Sequence, residues 1–431
     1  MDDELLDFQI ESRTDAIIKV IGVGGGGGNA VNHMFQEGMH DVSFALCNTD
    51  NQALMESPVP VKVQLGGHTT GGLGAGNKPE IAQRAAEESV DLIEDLLNDG
   101  TRMVFITAGM GGGTGTGAAP VVARVAKDMG VLTVGIVTIP FMFEGPRKIV
   151  QALKGVEEMA KNVDALLVIN NERLRDIYSD LTMLNAFAKA DDTLATAARS
   201  IAEIITVHGH VNLDFADVNT TLKDGGVAIM SSGLGKGEDR INDAIKNALH
   251  SPLLNNNDVF SAKKILINLS FGEAHPLMME EMNALHDFMS KFSREIEVIW
   301  GAAVEESLDE EVKVTLLATG FSITSVPGIE EHEQEKSRAE QIQQQIEKDA
   351  KLAQEKKDKE LIEKYYGKTG LKTLTSVNYR LEPFVLTIDE LDDDKVLEAL
   401  EKTPVFKRES TFNPRIFSSD VQQQQSSSLF D

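Results

Sequence analysis

The chain has 431 residues, 42% hydrophobic and 5% aromatic, enough for one large or two medium globular units plus a tail. Its formal net charge of -27 repels nucleic-acid phosphate, so no nucleic-acid partner is expected. A single cysteine, Cys47, excludes an internal disulfide; the acidic start MDDELLDFQIESRTD lacks a signal-peptide core, and no run of about 18 apolar residues offers a membrane span, so a cytoplasmic protein without direct membrane insertion is expected.

In chain order, Ala16 to Val23 is a β-branched run ending in glycines, the pattern of a buried parallel strand. The spacing then predicts a helix from Asn29 to Glu37, strands at Val42 to Leu46 and Val61 to Leu65, and a helix from Pro79 to Asn98. A strand at Arg102 to Thr107 leads through glycines to a helix from Ala118 to Met129. The strand Leu132 to Ile139, a helix from Pro146 to Asn162 and the strand Ala165 to Ile169 complete an alternation that argues for a parallel sheet covered on both faces. A long helix follows from Leu184 to Val207, with Leu194, Ala198, Ile201 and Ile205 on one face. The strands Val227 to Ser231, Lys264 to Leu269, Glu297 to Ala303 and Val312 to Ala318, with helices at Asp239 to Ala248 and Pro276 to Phe292, read as a second α/β unit.

After Gly328 the character changes. Residues 330 to 364 are dominated by Glu, Gln, Lys and Asp, and bury too little apolar surface to offset their ordering entropy. Apolar periodicity returns in KVLEALEKTPVFKR, Lys395 to Arg408, before a low-complexity end containing VQQQQSSS. The expected organisation is an N-terminal extension at 1–14, a nucleotide domain of the Rossmann-like α/β class at 15–183, a central helix at 184–208, a smaller α/β domain at 209–322, a charged flexible linker at 323–394 and a tail at 395–431.

IGVGGGGGNA, Ile21 to Ala30, follows the first strand. Glycines there let the backbone turn sharply and aim several N–H groups at an anion, and a helix N-terminus adds favourable electrostatics for phosphate. A G-x-G-x-x-G reading is weak, because a glycine run matches almost any glycine pattern. A Walker A loop is absent, since GLGKG at Gly233 to Gly237 is followed by Glu238. The decisive feature is a second glycine loop after a strand, GGGTGTG at Gly111 to Gly117; two such units converging on one ligand suit a triphosphate.

GGGTGTG resembles the signature of the tubulin/FtsZ family of GTPases, and the resemblance continues in order through LGAG (Leu73 to Gly76) with Pro79, FMFEG (Phe141 to Gly145) and NLDFADV (Asn212 to Val218). It covers roughly residues 15 to 320. It implies GTP and GDP as ligands, with Mg2+ held mainly by the nucleotide phosphates and no separate metal site. It implies that Gly25, Gly26, Gly27, Gly28 and Asn29, with Gly113, Thr114 and Gly115, hold the phosphates; that Ala75 and Gly76 lie near the γ-phosphate; and that Glu144 contacts the ribose. The family has Arg four residues after that Glu. Here EGPRK puts Lys148 there and Arg147 just before it, so either side chain can supply the charge. Asn171, Phe187 and Asp191 match the positions that read guanine, whose paired donors suit a carboxylate and whose face suits a stacked aromatic ring.

Asn212, Asp214 and Asp217 sit just beyond the long helix, while the base residues sit at its start. A helix of roughly 24 residues spans about 36 Å, so acids acting on GTP must reach the nucleotide of a neighbouring subunit. The resemblance implies just that: Asp214 and Asp217 polarise the attacking water at a head-to-tail junction, and subunits polymerise into filaments. An isolated N-x-D-x-x-D would instead be a helix-terminal loop with Asp217 as N-cap. The implied role is a scaffold of the division ring, assembling at midcell beneath the inner membrane. The alternative is a related filament for plasmid segregation or cell shape. The segment Thr403-Pro404-Val405-Phe406-Lys407-Arg408 loosely resembles the family's docking peptide for membrane adaptors and regulators.

Overall fold

The computed structural model describes residues 16–326 except 40, 179–181, 208, 251–258 and 294, together with 356–357, 360, 363–364 and 394–402. The chain divides into two compact units, residues 1–339 and 340–431. The described elements of the first are β1 (Ile18–Val23), α1 (Gly24–Gln36), β2 (Val42–Asn48), α2 (Asn51–Glu56), β3 (Val61–Gln64), α3 (Gly67–Thr70), α4 (Pro79–Glu88), α5 (Val90–Leu97), β4 (Met103–Gly109), α6 (Thr114–Asp128), β5 (Leu132–Ile139), α7 (Pro146–Asn162), β6 (Ala165–Asn170), α8 (Asn171–Ile177) and α9 (Met183–Thr206). They continue with β7 (Gly209–Val211), α10 (Phe215–Leu222), β8 (Gly226–Gly235), α11 (Arg240–Leu249), β9 (Lys264–Phe271), α12 (Met282–Met289), β10 (Glu297–Val304) and β11 (Val312–Phe321). In the second unit α13 spans Asp394–Lys402, overlapping the segment from Lys395 in which apolar periodicity returns. The expected N-terminal extension, nearly all of the linker, and the motif around Pro404 to Arg408 lie outside the described residues.

Among the described residues eleven strands form one sheet in the order β3-β2-β1-β4-β5-β6-β8-β11-β9-β10-β7. The first six strands pair in parallel, as their continuous apolar runs require: β1, β4 and β5 are buried along nearly their whole length. The later strands are not a separate sheet. β8 joins β6 in parallel through Ala165↔Gly226, Leu166↔Val227 and Leu167↔Ala228. β11 then runs antiparallel between β8 and β9, so this half is mixed. One core layer gathers α1, α9 and α10 against the sheet, and the other gathers α4 to α7, α11 and α12.

Several boundaries move for local reasons. α1 begins at Gly24, not Asn29, because the glycines are themselves its first turns. α6 likewise begins at Thr114. The helix expected from Pro79 to Asn98 breaks at Ser89, which leaves helical angles at φ -110 and ψ 20, while its hydroxyl accepts the Gly66 amide at 2.9 Å. The helix expected from Pro276 to Phe292 is confined to α12. α9 runs for 24 residues with Leu194, Ala198 and Ile201 buried, and Thr182 caps it.

Candidate functional site

The strand order through β6 reverses between β1 and β4, and both glycine loops leave the carboxyl ends of those two strands. That crevice is where open parallel sheets bind ligands. Glycine is required there by proximity. A Cβ on Gly27 would lie 2.2 Å from the Thr107 carbonyl oxygen, so α1 packs backbone to backbone on β4. A Cβ on Gly113 would meet Ala75 Cβ and the Lys78 amide, each at 3.1 Å, so the LGAG loop closes against the second glycine loop. Gly25 and Gly28, by contrast, face open space. The structure thus brings together all three segments expected to hold the phosphates: residues 25–29, 75–76 and 113–115.

The polar links that Thr49 and Gln151 make in this cradle were not read from the sequence. Thr49 Oγ1, at the end of β2, lies 2.7 Å from Thr114 Oγ1. The Thr49 carbonyl accepts the Gly74 amide at 3.1 Å, which pins the LGAG loop. Gln151 of α7 donates its side-chain amide to the Gly111 and Gly112 carbonyls at 3.0 and 2.9 Å, and the Gly111 amide donates to Thr116 Oγ1 at 2.9 Å, so the second loop is tied to both α7 and α6. Asp50 follows β2, where a dinucleotide fold carries a ribose-reading acid, but its Oδ1 caps α2 by accepting from Gln52 and Ala53. No sequence signal marked these residues, because each acts through a partner distant in the chain or through an ordinary cap.

At the base end, Phe187 meets Phe141 edge to face at 5.3 Å and Phe143 at 6.3 Å, while Phe141 and Phe143 stack at 5.1 Å. The FMFEG loop and α9 therefore form one aromatic wall. Glu144 Oε1 accepts the Phe141 amide at 3.0 Å, and its Oε2 pairs with Lys148 at 2.9 Å. Lys148 is thus the cation beside Glu144; Arg147 is exposed and lines a separate cleft of about 460 Å³ between α4, α6 and α7. Glu172 holds the same loop by accepting the Met142 amide at 2.9 Å. Asn171 is buried, and its Oδ1 has no hydrogen-bond partner, so an acceptor waits at the predicted base position. Burial pushes the Asp191 carboxyl up to about 6, with nearby His33 pulling it partly back. Cys47 is a buried residue of β2, and burial pushes its thiol up to about 12, which leaves it inert.

The acid loop stands at the other end of α9. Asp214, not Asp217, is the N-cap of α10: its Oδ1 accepts from Ala216 and Asp217 at 2.7 and 3.1 Å, and Asp217 Oδ2 accepts the Asp214 amide at 3.0 Å. Asn212 Oδ1 accepts the Gly209 amide at 2.6 Å. Leu213 is buried beneath, and Arg102 stacks over the Phe215 ring at 5.1 Å. Yet Asp191 lies about 23 Å of helix before the Thr206 end of α9, and Phe187 of the aromatic wall about 29 Å before it, so the loop stands well away from the base residues of the same chain.

Comparison with known proteins agrees with this architecture. Residues 17–179 match the Tubulin/FtsZ family, GTPase domain, and residues 226–322 match the FtsZ family, C-terminal domain. A cell division protein FtsZ of Porphyromonas gingivalis is 52% identical over 96% of this chain and 91% of its own length. One from Wigglesworthia glossinidia brevipalpis is 44% identical over 74% of this chain and 83% of its own. The solved empty FtsZ dimer of M. jannaschii superposes with a TM-score of 0.65 at 39% identity, covering 70% of this chain and 88% of that one. With two family domains in order, both glycine loops at the sheet's switch point and an acid loop one long helix away, the chain belongs to the tubulin/FtsZ family.

Proposed function

We propose that GTP binds across the crevice at the β1 and β4 carboxyl ends and is hydrolysed only where the acid loop of a second copy reaches it. The protein is a GTPase that forms GTP-dependent filaments and acts in cell division. The site-level reading assigns the phosphates to Gly25 to Asn29, Ala75, Gly76 and Gly113 to Gly115, the ribose side to Glu144 with Lys148, and guanine to Asn171, Phe187 and Asp191. Asp214 and Asp217 position and polarise water at the γ-phosphate of the adjoining subunit, with Asn212 shaping their loop.

One observation carries this reading: the stretch of α9 from Asp191 to its end at Thr206, about 23 Å long, that precedes the acid loop. A carboxylate that far away has no catalytic contact with its own subunit's nucleotide. A second observation agrees. Apolar side chains lie exposed in the very loops that would meet: Leu73, Met142, Phe143 and Leu184 around the cradle, and Val207 and Val211 beside the acid loop. Exposed apolar surface of this kind marks a contact face. The contact joins two different faces, so it propagates as a filament.

Mg2+ fits the cradle as a cation carried by the nucleotide. The half-buried Thr114 hydroxyl stands in the second glycine loop with the buried Thr49 hydroxyl 2.7 Å from it, and among the described residues no set of three carboxylate or histidine ligands gathers there. Such a cation neutralises phosphate charge as it develops. The tail motif around Pro404 to Arg408 serves division adaptors in this reading, with assembly at midcell; among the described residues no helix is long and apolar enough to cross a membrane.

A mixing experiment tests the junction. Thr114→Arg fills the phosphate cradle, and Asp214→Ala empties the acid loop. Each variant alone should be nearly inactive. Mixed, junctions that pair the intact cradle of one with the intact acid loop of the other should recover GTP hydrolysis. Co-sedimentation of the two variants without any recovered hydrolysis would refute action in trans.

A further inference from the structure

Away from the phosphate cradle and the acid loop, one group of ligand atoms converges among the described residues: those of His33 in the last turn of α1, Glu37 at its C-cap, and Asp192 on α9. His33 Nε2 lies 3.3 Å from Glu37 Oε1 and 3.8 Å from Asp192 Oδ1, and all three ligand atoms lie within 4.8 Å of one another. Nε2 is shielded from solvent, yet it makes no hydrogen bond to either carboxylate. The outer oxygens are already held. Glu37 Oε2 pairs with the Arg199 guanidinium, and Asp192 Oδ2 pairs with the Lys189 ammonium at 2.6 Å. Each carboxylate is therefore oriented with one oxygen toward the imidazole, and much of its charge is balanced from behind.

We propose that His33, Glu37 and Asp192 bind a divalent transition cation of the Zn2+ type, which clamps α1 to α9. Tetrahedral Zn2+ with bonds of about 2.0–2.2 Å to nitrogen and carboxylate oxygen sets neighbouring ligand atoms roughly 3.3–3.6 Å apart. Two of the three edges, at 3.3 and 3.8 Å, need adjustments of only about a few tenths of an ångström, and the third lies within 4.8 Å. An ion there supplies the partner that Nε2 lacks. Water completes the fourth position. A neutral imidazole with two carboxylates favours Zn2+ and its neighbours over Mg2+, which takes oxygen ligands and holds its waters. The clamp joins the helix that opens with the phosphate glycines to the residue beside Asp191, so it braces the two ends of the nucleotide crevice. It does not depend on the assignment of catalytic residues.

The test uses the full-length protein stripped of nucleotide and metal, since phosphates chelate zinc, with millimolar Mg2+ present to occupy non-specific carboxylates. Calorimetric titration with ZnCl2 should find one tight site, and Zn2+ should raise the melting temperature. Cys47 does not compete, because it is buried with its thiol pushed up to about 12. His33→Ala and Asp192→Asn should each weaken that site at least about tenfold and abolish the thermal shift. Asp192→Asn keeps side-chain size, so one well-folded variant is assured if His33→Ala is unstable. The ion-pair alternative, a protonated His33 between two acids, gives no tight zinc site. That result, or unchanged zinc affinity in both variants, overturns the proposal.

Discussion

Asp214 and Asp217 cap one another's backbone across the first turn of α10: Asp214 Oδ1 accepts the Asp217 amide at 3.1 Å, and Asp217 Oδ2 accepts the Asp214 amide at 3.0 Å. The pair proposed to activate water thus also sets the loop that presents it. The two duties separate by substitution. Asp214→Asn keeps a capping oxygen, so melting should barely change, while GTP hydrolysis should fall on the order of 10²-fold or more. Asp214→Ala should show the same kinetic loss and in addition cost about 1 kcal/mol of stability. GTP affinity should be unchanged in both. Thermal melts, nucleotide binding and phosphate release measured side by side decide this; hydrolysis surviving in Asp214→Asn would reduce the residue to a cap.

The glycine run divides into structural and ligand-facing positions. Gly27→Ala drives a Cβ into the Thr107 carbonyl, 2.2 Å away, and should destabilise the fold by roughly 1–3 kcal/mol or more. A Cβ at Gly25 meets nothing within 4 Å, so Gly25→Ala should melt like the parent protein yet bind GTP more weakly, because the methyl group occupies space the phosphates need. Equal GTP affinity in Gly25→Ala would remove that residue from the cradle.

Asp191 links stability to recognition. Burial raises its carboxyl from 3.8 to about 6, so between those values the folded protein holds a proton that the unfolded chain has released. Stability is therefore lost as pH rises through this window, and at pH 7 the ionised group is a burden to the ligand-free fold. In metal-free, nucleotide-free protein, Asp191→Asn should raise the melting temperature at pH 7 while reducing the preference for GTP over ATP. GTP affinity of the parent should also weaken as pH falls below about 6, beyond the change seen in Asp191→Asn. Melting and competition binding at pH 5.5 and 7.5 check both signs; an unaltered GTP preference in the variant would dismiss Asp191 as the base reader.

The folded unit extends at least through Val326, which is 1% exposed and packs in the core beside β11. A chain ending after Val326 should bind GTP and assemble. One ending after Ser322 removes Val326 and its neighbour Ile323, and should lose roughly 2 kcal/mol or more through the lost burial. Urea melts of the two truncations provide the comparison. Loss of GTP binding in the longer one would place essential residues in the tail.

Much of this molecule is written locally in its sequence. The β-branched runs, the helical spacing of Leu194, Ala198 and Ile201, and the two glycine loops after strands each follow from side-chain period or from the absence of a Cβ, and these are properties of neighbouring residues. They were enough to locate the strands of the parallel half, α7, and the glycine loops at the ends of β1 and β4. Even the separation of Asp191 from Asp214 was legible, because a helix converts residue count into length. Other features depended on partners far apart in the chain. Whether β8 begins a new sheet or extends the old one is decided by three register pairs with β6. The break at Ser89 depends on the Gly66 amide, the pairing of Lys148 with Glu144 on where Glu144 points, and the meeting of His33 with Asp192 on how α1 lies against α9. No local pattern encodes these contacts, because each is made by two segments brought side by side only when the sheet and its covering helices close.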